Sequence, residues 1–98
     1  MPIARLIFVS VDPREMGEAE RIWKEECAPL MIKQPGCLSE ELLKCLDVPG
    51  EYISYSEWEN EESIRAYLAS ENHQEIREHT RGFHGAQPPS VKRYEVAG

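Results

Sequence analysis

His73 is the titratable side chain best suited to proton transfer in the most aromatic stretch of this chain, which runs from Tyr52 to His73. The stretch reads Tyr52-Ile53-Ser54-Tyr55-Ser56-Glu57-Trp58, passes through Glu61 to Ser70, and ends on Glu71-Asn72-His73. It offers an indole at Trp58, a phenol at Tyr67 and an imidazole at His73. Arg77 adds a guanidinium one helical turn further on. An unperturbed imidazole titrates near about 6.5, so His73 suits a general base. Trp58 and Tyr67 can wall a flat aromatic ligand, with the Tyr67 hydroxyl as a donor. Arg77 shares a helix face with His73 and can steady an oxyanion. The chemistry these four groups suit is deprotonation of a small aromatic substrate in a dry pocket, with donors to hold the resulting anion.

Each group also has a plainer role. Trp58 at a strand end can be a core or interface anchor, and Tyr67 lies on the Ile64/Leu68 face of its helix. His73 can simply bond to the start of its helix, and Arg77 can pair with neighbouring glutamates. Trp23 sits on the apolar stripe of the first helix and is expected in the core. Tyr52 and Tyr94 are expected to serve cross-strand packing.

Other chemistries find less support. His73, His79 and His84 are spaced by six and five residues. The first two differ by about 120° around a helix, so they do not converge as a metal pair, and no metal site is expected. Gly82-Phe83-His84-Gly85 lacks phosphate-loop spacing, and no nucleotide fingerprint is present. Cys27, Cys37 and Cys45 are odd in number and share no CxxC spacing, which fits reduced thiols in a cytoplasmic protein.

The elements that must position the site follow from patterning. Ile3 to Val11 is a strand, apolar at both parities, ending at Asp12-Pro13. Asp12-Pro13-Arg14-Glu15 starts a helix, with Asp12 as cap. Met16, Ala19, Trp23, Cys27 and Leu30/Met31 carry it on, Pro29 kinks its last turn, and Gln34-Pro35-Gly36 stops it. Cys37 to Asp47 and Glu51 to Glu57 are strands joined by turn chemistry at Asp47-Val48-Pro49-Gly50. Asn60 caps a helix over Glu61 to Ala69, and Ser70 caps another from about Glu71 to Arg81, with Gly82 as its stop. Phe83 to Ser90 is a Gly/Pro loop, and Val91 to Val96 is the last strand.

That order is β-α-β-β-α-β, an α+β ferredoxin-like arrangement with an antiparallel sheet. The 98 residues form one domain, 1–98. Helices cover one face of such a sheet. The other face is also apolar, so a second copy stacking on it is expected, giving a homodimer. Eleven basic against eighteen acidic residues give a net charge of −7, which repels phosphate backbones and anionic membrane surfaces; no nucleic-acid partner is expected. No signal peptide is evident, and no run approaches the ~20 apolar residues that span a bilayer.

Lys33-Gln34-Pro35-Gly36-Cys37, Tyr55-Ser56-Glu57-Trp58 and Ser70-Glu71-Asn72-His73 carry a resemblance to the antibiotic biosynthesis monooxygenase (ABM) family. It covers roughly residues 3–96. The resemblance implies a dimeric α+β barrel and, among the family's activities, oxidation of phenols, hydroquinones or anthrones by O₂ without a metal or flavin. It thus implies no cofactor. The quinone-forming branch resembles this chain at Trp58, without evident equivalents of its polar partners. The haem-degrading branch resembles an Asn on the first strand, a Trp in the second helix and a His ten residues later. Here the last two positions hold Tyr67 and Arg77, and the asparagines, Asn60 and Asn72, lie elsewhere. Haem use would need a shifted register with His73 or His79 as ligand. The expected activity is therefore a cofactor-independent monooxygenase acting on a small phenolic or hydroquinone-type compound, the alternative being a non-catalytic dimeric module that binds a small molecule.

Overall fold

A computed structural model describes residues 1–80 and 89–98. Among these residues, four strands form one sheet, in the order β2-β3-β1-β4: β1 (Ile3–Ser10), β2 (Cys37–Lys44), β3 (Glu51–Trp58) and β4 (Ser90–Glu95). Every neighbouring pair is antiparallel. The helical segments are α1 (Met16–Ile22), a π-helical stretch (Trp23–Cys27), α2 (Ala28–Ile32), α3 (Glu61–Leu68) and α4 (Glu71–Thr80). The α+β ferredoxin-like arrangement expected from patterning is the one formed. The end of the last helix at Arg81 and Gly82, most of the Gly/Pro loop, and His84 lie outside the described residues.

Local chemistry explains where the helices begin. Asp12 accepts the Arg14 amide at 2.8 Å, with Pro13 in the first position of a short 3₁₀ turn. Asn60 accepts the Ser63 amide at 2.9 Å, and Ser70 accepts that of His73 at 3.2 Å. Pro29, expected to kink the last turn of the helix, sits in the first turn of α2, behind a π-helical stretch. Proline lacks an N–H and crowds the carbonyl four residues back. The widened turn absorbs that misfit, and the Ala28 amide reaches back to the Trp23 carbonyl.

Register decides which side chains share a face. Arg5 pairs with Ser56, Ile7 with Ser54 and Val9 with Tyr52, and on β2 Glu40 and Leu42 oppose Ser56 and Ser54. These residues face the helices. Leu6, Phe8, Ile53, Tyr55, Leu43 and Tyr94 point to the opposite face, which no helix among the described residues covers. The core under the helices gathers Cys27, Met31, Trp58, Ile64, Tyr67 and Ile76.

Gly36 is required by space and by conformation. Its φ is +85°, and a Cβ there would lie 2.1 Å from Ser63 Oγ. Its carbonyl accepts the Glu59 amide at 2.8 Å, so the turn after α2 is fastened to the start of α3.

Candidate functional site

A cavity of about 490 Å³ lies between the helices and the sheet, a size suited to a small organic ligand. Ile7 and Val9 form part of its floor, and Ile22, Trp23, Leu68 and Ile76 close over it from the helices. His73 and Tyr67 are in the wall, and Arg77 stands exposed at the rim.

Helix geometry brings His73 and Tyr67 together. Ser70 donates its hydroxyl to the Tyr67 carbonyl at 2.6 Å as α3 ends, then accepts the His73 amide as α4 begins. The tight junction folds the second helix back, and the two rings meet edge-on with centroids 5.0 Å apart. Gln34 reinforces the junction. Its side-chain N–H groups donate to the Asn72 side chain at 2.9 Å and to the Leu30 carbonyl at 2.8 Å. Two segments singled out in the sequence, around Gln34 and around Asn72, are thus joined in space.

Trp58 takes a different place from the wall expected of it. It is completely buried, stacks on Tyr67 at 5.0 Å and 28°, and does not line the cavity. Its indole N–H donates to Ser56 Oγ at 2.8 Å. Strand alternation accounts for both facts: Trp58 and Ser56 point to the same face, two residues apart. Trp58 backs the aromatic wall and fixes the plane of Tyr67. Of the four candidates from the sequence, His73, Tyr67 and Arg77 line the cavity.

Tyr52 and Tyr94 lie on opposite faces of the sheet: Tyr52 opposes Val9 under the helices, whereas Tyr94 opposes Ala4 on the other side. Tyr52 lines the cavity and donates its hydroxyl to Glu20 at 2.5 Å, and Lys44 pairs with the same carboxylate at 2.9 Å. Trp23, expected in the core, packs against the core cluster and also lines the cavity.

The patterning did not single out Arg5. It is 6% exposed and lines the cavity floor. The available signal was its place in the series Ile3, Arg5, Ile7, Val9, Val11, where a lone cation interrupts a buried apolar parity.

Electrostatics follow from burial. His73 is pushed below the usual imidazole range, first by burial and then by the charges of Arg5 and Arg77, against a smaller pull from the Leu68 carbonyl. It is therefore neutral at pH 7 and able to accept a proton. Burial pushes the Tyr67 phenol up to about 12, with Arg5 opposing, so Tyr67 keeps its proton. Burial likewise lowers Arg5 from its ordinary value, but a guanidinium stays charged. His79 faces another way, 3.8 Å from Glu26. Among the described residues, no three His, Cys, Asp or Glu side chains group as a metal-ligand set. No helix among them is long and apolar enough to cross a membrane.

Comparison with known proteins gives a consistent family. The family described as Antibiotic biosynthesis monooxygenase matches residues 2–79. A Bordetella bronchiseptica protein provisionally named as an antibiotic biosynthesis monooxygenase superposes with a TM-score of 0.87 at 22% identity, covering 98% of this chain and 97% of its own. A conserved protein from Methanosarcina mazei Go1 gives 0.86 at 19% identity, covering 96% and 91%. Rv0793 from Mycobacterium tuberculosis gives 0.82 at 15% identity, covering 100% and 97%. At these identities the structures establish a shared fold. No curated protein matches in sequence.

Proposed function

The chain belongs to the antibiotic biosynthesis monooxygenase family, and from that premise we propose that it oxidises a small phenolic or hydroquinone-type aromatic with O₂, His73 acting as the base. The observation that carries this reading is a neutral imidazole set in the wall of a largely apolar cavity, beside a buried cation.

The chemistry runs in balanced steps. His73 takes the phenolic proton, and the phenolate transfers one electron to O₂. The resulting radical and superoxide combine at the ring carbon para to the oxygen, and protonated His73 returns its proton to the peroxide. Loss of the ring hydrogen and of hydroxide as water leaves a second carbonyl. One phenol and one O₂ thus give one quinone and one water; one oxygen atom enters the ring and the substrate supplies the electrons. Tyr67 can donate to the developing carbonyl oxygen, and Arg77 at the rim stabilises negative charge on the anion. The apolar residues of the cavity exclude water from the radical pair.

A homodimer is part of the same proposal. Leu6, Phe8, Ile53 and Tyr55 are half-buried and Leu43 and Tyr94 exposed on the uncovered sheet face, and a second sheet stacked there would take them from water. A single domain and a reducing, cytoplasmic setting also belong to it; Cys27, Cys37 and Cys45 are free thiols. The haem-degrading reading gains nothing from the geometry, since Tyr67 packs between Trp58 and His73 and His79 faces Glu26.

Oxygen uptake with a panel of hydroquinones, naphthols and anthrones tests the reading. Uptake with at least one, lost in His73→Ala while ligand binding persists, is the expected result. Tight binding with no uptake across the panel would instead make the chain a small-molecule-binding module.

A further inference from the structure

We propose that the cavity takes a ligand carrying a permanent carboxylate on its flat apolar body, and that Arg5 anchors that carboxylate. The inference rests on the oxidation reading of the same cavity and names the substrate class within it.

Arg5 is a buried charge without a counter-charge. Among the described residues it takes part in no ion pair. Its titratable neighbours are the Tyr67 phenol, which keeps its proton, and a second cation, Arg93, and Arg93 is itself paired with Glu61 at 2.8 Å. Glu40 is the carboxylate in the same row of the sheet, across Ser56, but no ion pair joins it to Arg5, and its carboxyl is shifted by burial and Glu41 rather than by the guanidinium. An uncompensated buried guanidinium is costly unless something pairs with it. Because Arg5 lines the cavity, a ligand can be that partner. A carboxylate matches the planar guanidinium fork with two parallel hydrogen bonds. A phenolate formed during turnover offers a single oxygen and arrives only after His73 has acted.

The rest of the cavity fixes the ligand's direction. Tyr52 opposes Val9, four residues along β1 from Arg5, or roughly 13 Å. At that level the Glu20 carboxylate is already held by Tyr52 and Lys44. It would repel an anion, and among the described residues no unpaired cation lines the cavity there. Arg5 and Arg77 make the other region the positive one. Ile7, Val9, Ile22 and Trp23 lie between for an apolar ring system.

The test is a pair of probes that differ in the anionic group, 2-naphthoate and 2-naphthol, the latter neutral at pH 7. Binding is followed by calorimetry on the full chain. The wild type is expected to prefer naphthoate by about 10-fold or more. Arg5→Met should abolish that preference by weakening naphthoate alone, and Arg5→Lys should retain part of it. A wild type that binds naphthol as tightly, or an Arg5→Met variant that keeps the preference, overturns the proposal. Should Arg5→Met fail to fold, Arg5→Lys decides: naphthoate weakened with naphthol unchanged supports the anchor, and no change in either overturns it. Oxygen uptake is read separately with 1-hydroxy-2-naphthoate and 1-naphthol. Naphthoate preference without any uptake removes the oxidation reading and leaves the anchor standing; uptake with 1-naphthol and no naphthoate preference does the reverse.

Discussion

The ring of His73 meets the ring of Tyr67 edge-on at 5.0 Å, and Tyr67 is in turn stacked on Trp58 at 5.0 Å. The base is thus the last member of a row of three rings whose far end is wholly buried. Such a row restricts the imidazole without charging it. A carboxylate partner would have raised its pKa, whereas an aromatic edge beside two arginines leaves it neutral.

That environment makes a pH prediction. The folded-state pKa of His73 lies below its unfolded value, which is about 6.5. Between the two values the unfolded chain holds the extra proton, so His73's contribution to stability is lost as pH falls from about 6.5 through the folded value. Activity that needs the neutral imidazole should show its acid limb below that same ordinary value. NMR titration of the His73 ring protons measures the shift directly. A midpoint at or above 6.5 would contradict it. His73→Gln should remove this residue's part of the acid destabilisation.

Much of the frame was legible in the sequence because it rests on local chemistry. Asp12, Asn60 and Ser70 cap the turns where their types and spacing place them, and the apolar, β-branched run from Ile3, expected to reach Val11, is realised as the strand Ile3–Ser10. His73, Tyr67 and Arg77 were found because they share one helix–turn–helix segment. Arg5 and Tyr52 escaped because their role depends on register across the sheet, which pairs residues about fifty positions apart in sequence order. The placement of Trp58 behind the wall also needed the tertiary contact. Its spacing from Tyr67 gives proximity but does not say which ring faces the ligand.

Glu40 should be a site of built-in instability. Its carboxyl is pushed up to about 7 by burial, with Glu41 adding to the effect, and Oε2 is buried without a hydrogen-bond partner among the described residues. A folded-state pKa above the unfolded value means its stability contribution is full below the ordinary Glu pKa and is lost as pH rises through about 7. Glu40→Gln should therefore stabilise the fold at pH 8 by about 1 to 2 kcal/mol, allowing for screening at a half-buried site. At pH 4 it should do little. Urea denaturation at the two pH values checks this; an equal effect at both would point to a packing cause instead.

Gly36→Ala should destabilise the fold at any pH. The added Cβ would meet Ser63 Cβ at 2.5 Å as well as its hydroxyl, at a φ of +85°. Strain in the left-handed region alone costs on the order of 1 kcal/mol, and the clash adds to it. Thermal unfolding should show a clearly lower midpoint. Because Ser63 Cβ remains in an alanine, Gly36→Ala/Ser63→Ala should recover only part of the loss; full recovery would mean that the hydroxyl contact alone was responsible.

Ser56→Ala should weaken the aromatic row from behind. The Trp58 indole N–H donates to Ser56 Oγ at 2.8 Å, and both residues are essentially inaccessible to water. Removing the acceptor leaves a buried donor unpaired, at a cost of about 1 to 3 kcal/mol. Trp58→Phe removes the donor together with part of the ring and leaves a space beside Tyr67, so it should also destabilise, through packing. The two effects share one hydrogen bond and should not add: the double variant is expected to lose less than the sum of the singles. A double-mutant cycle in urea measures the difference. Strict additivity would show that the indole gains nothing from Ser56 and that stacking on Tyr67 alone holds the ring.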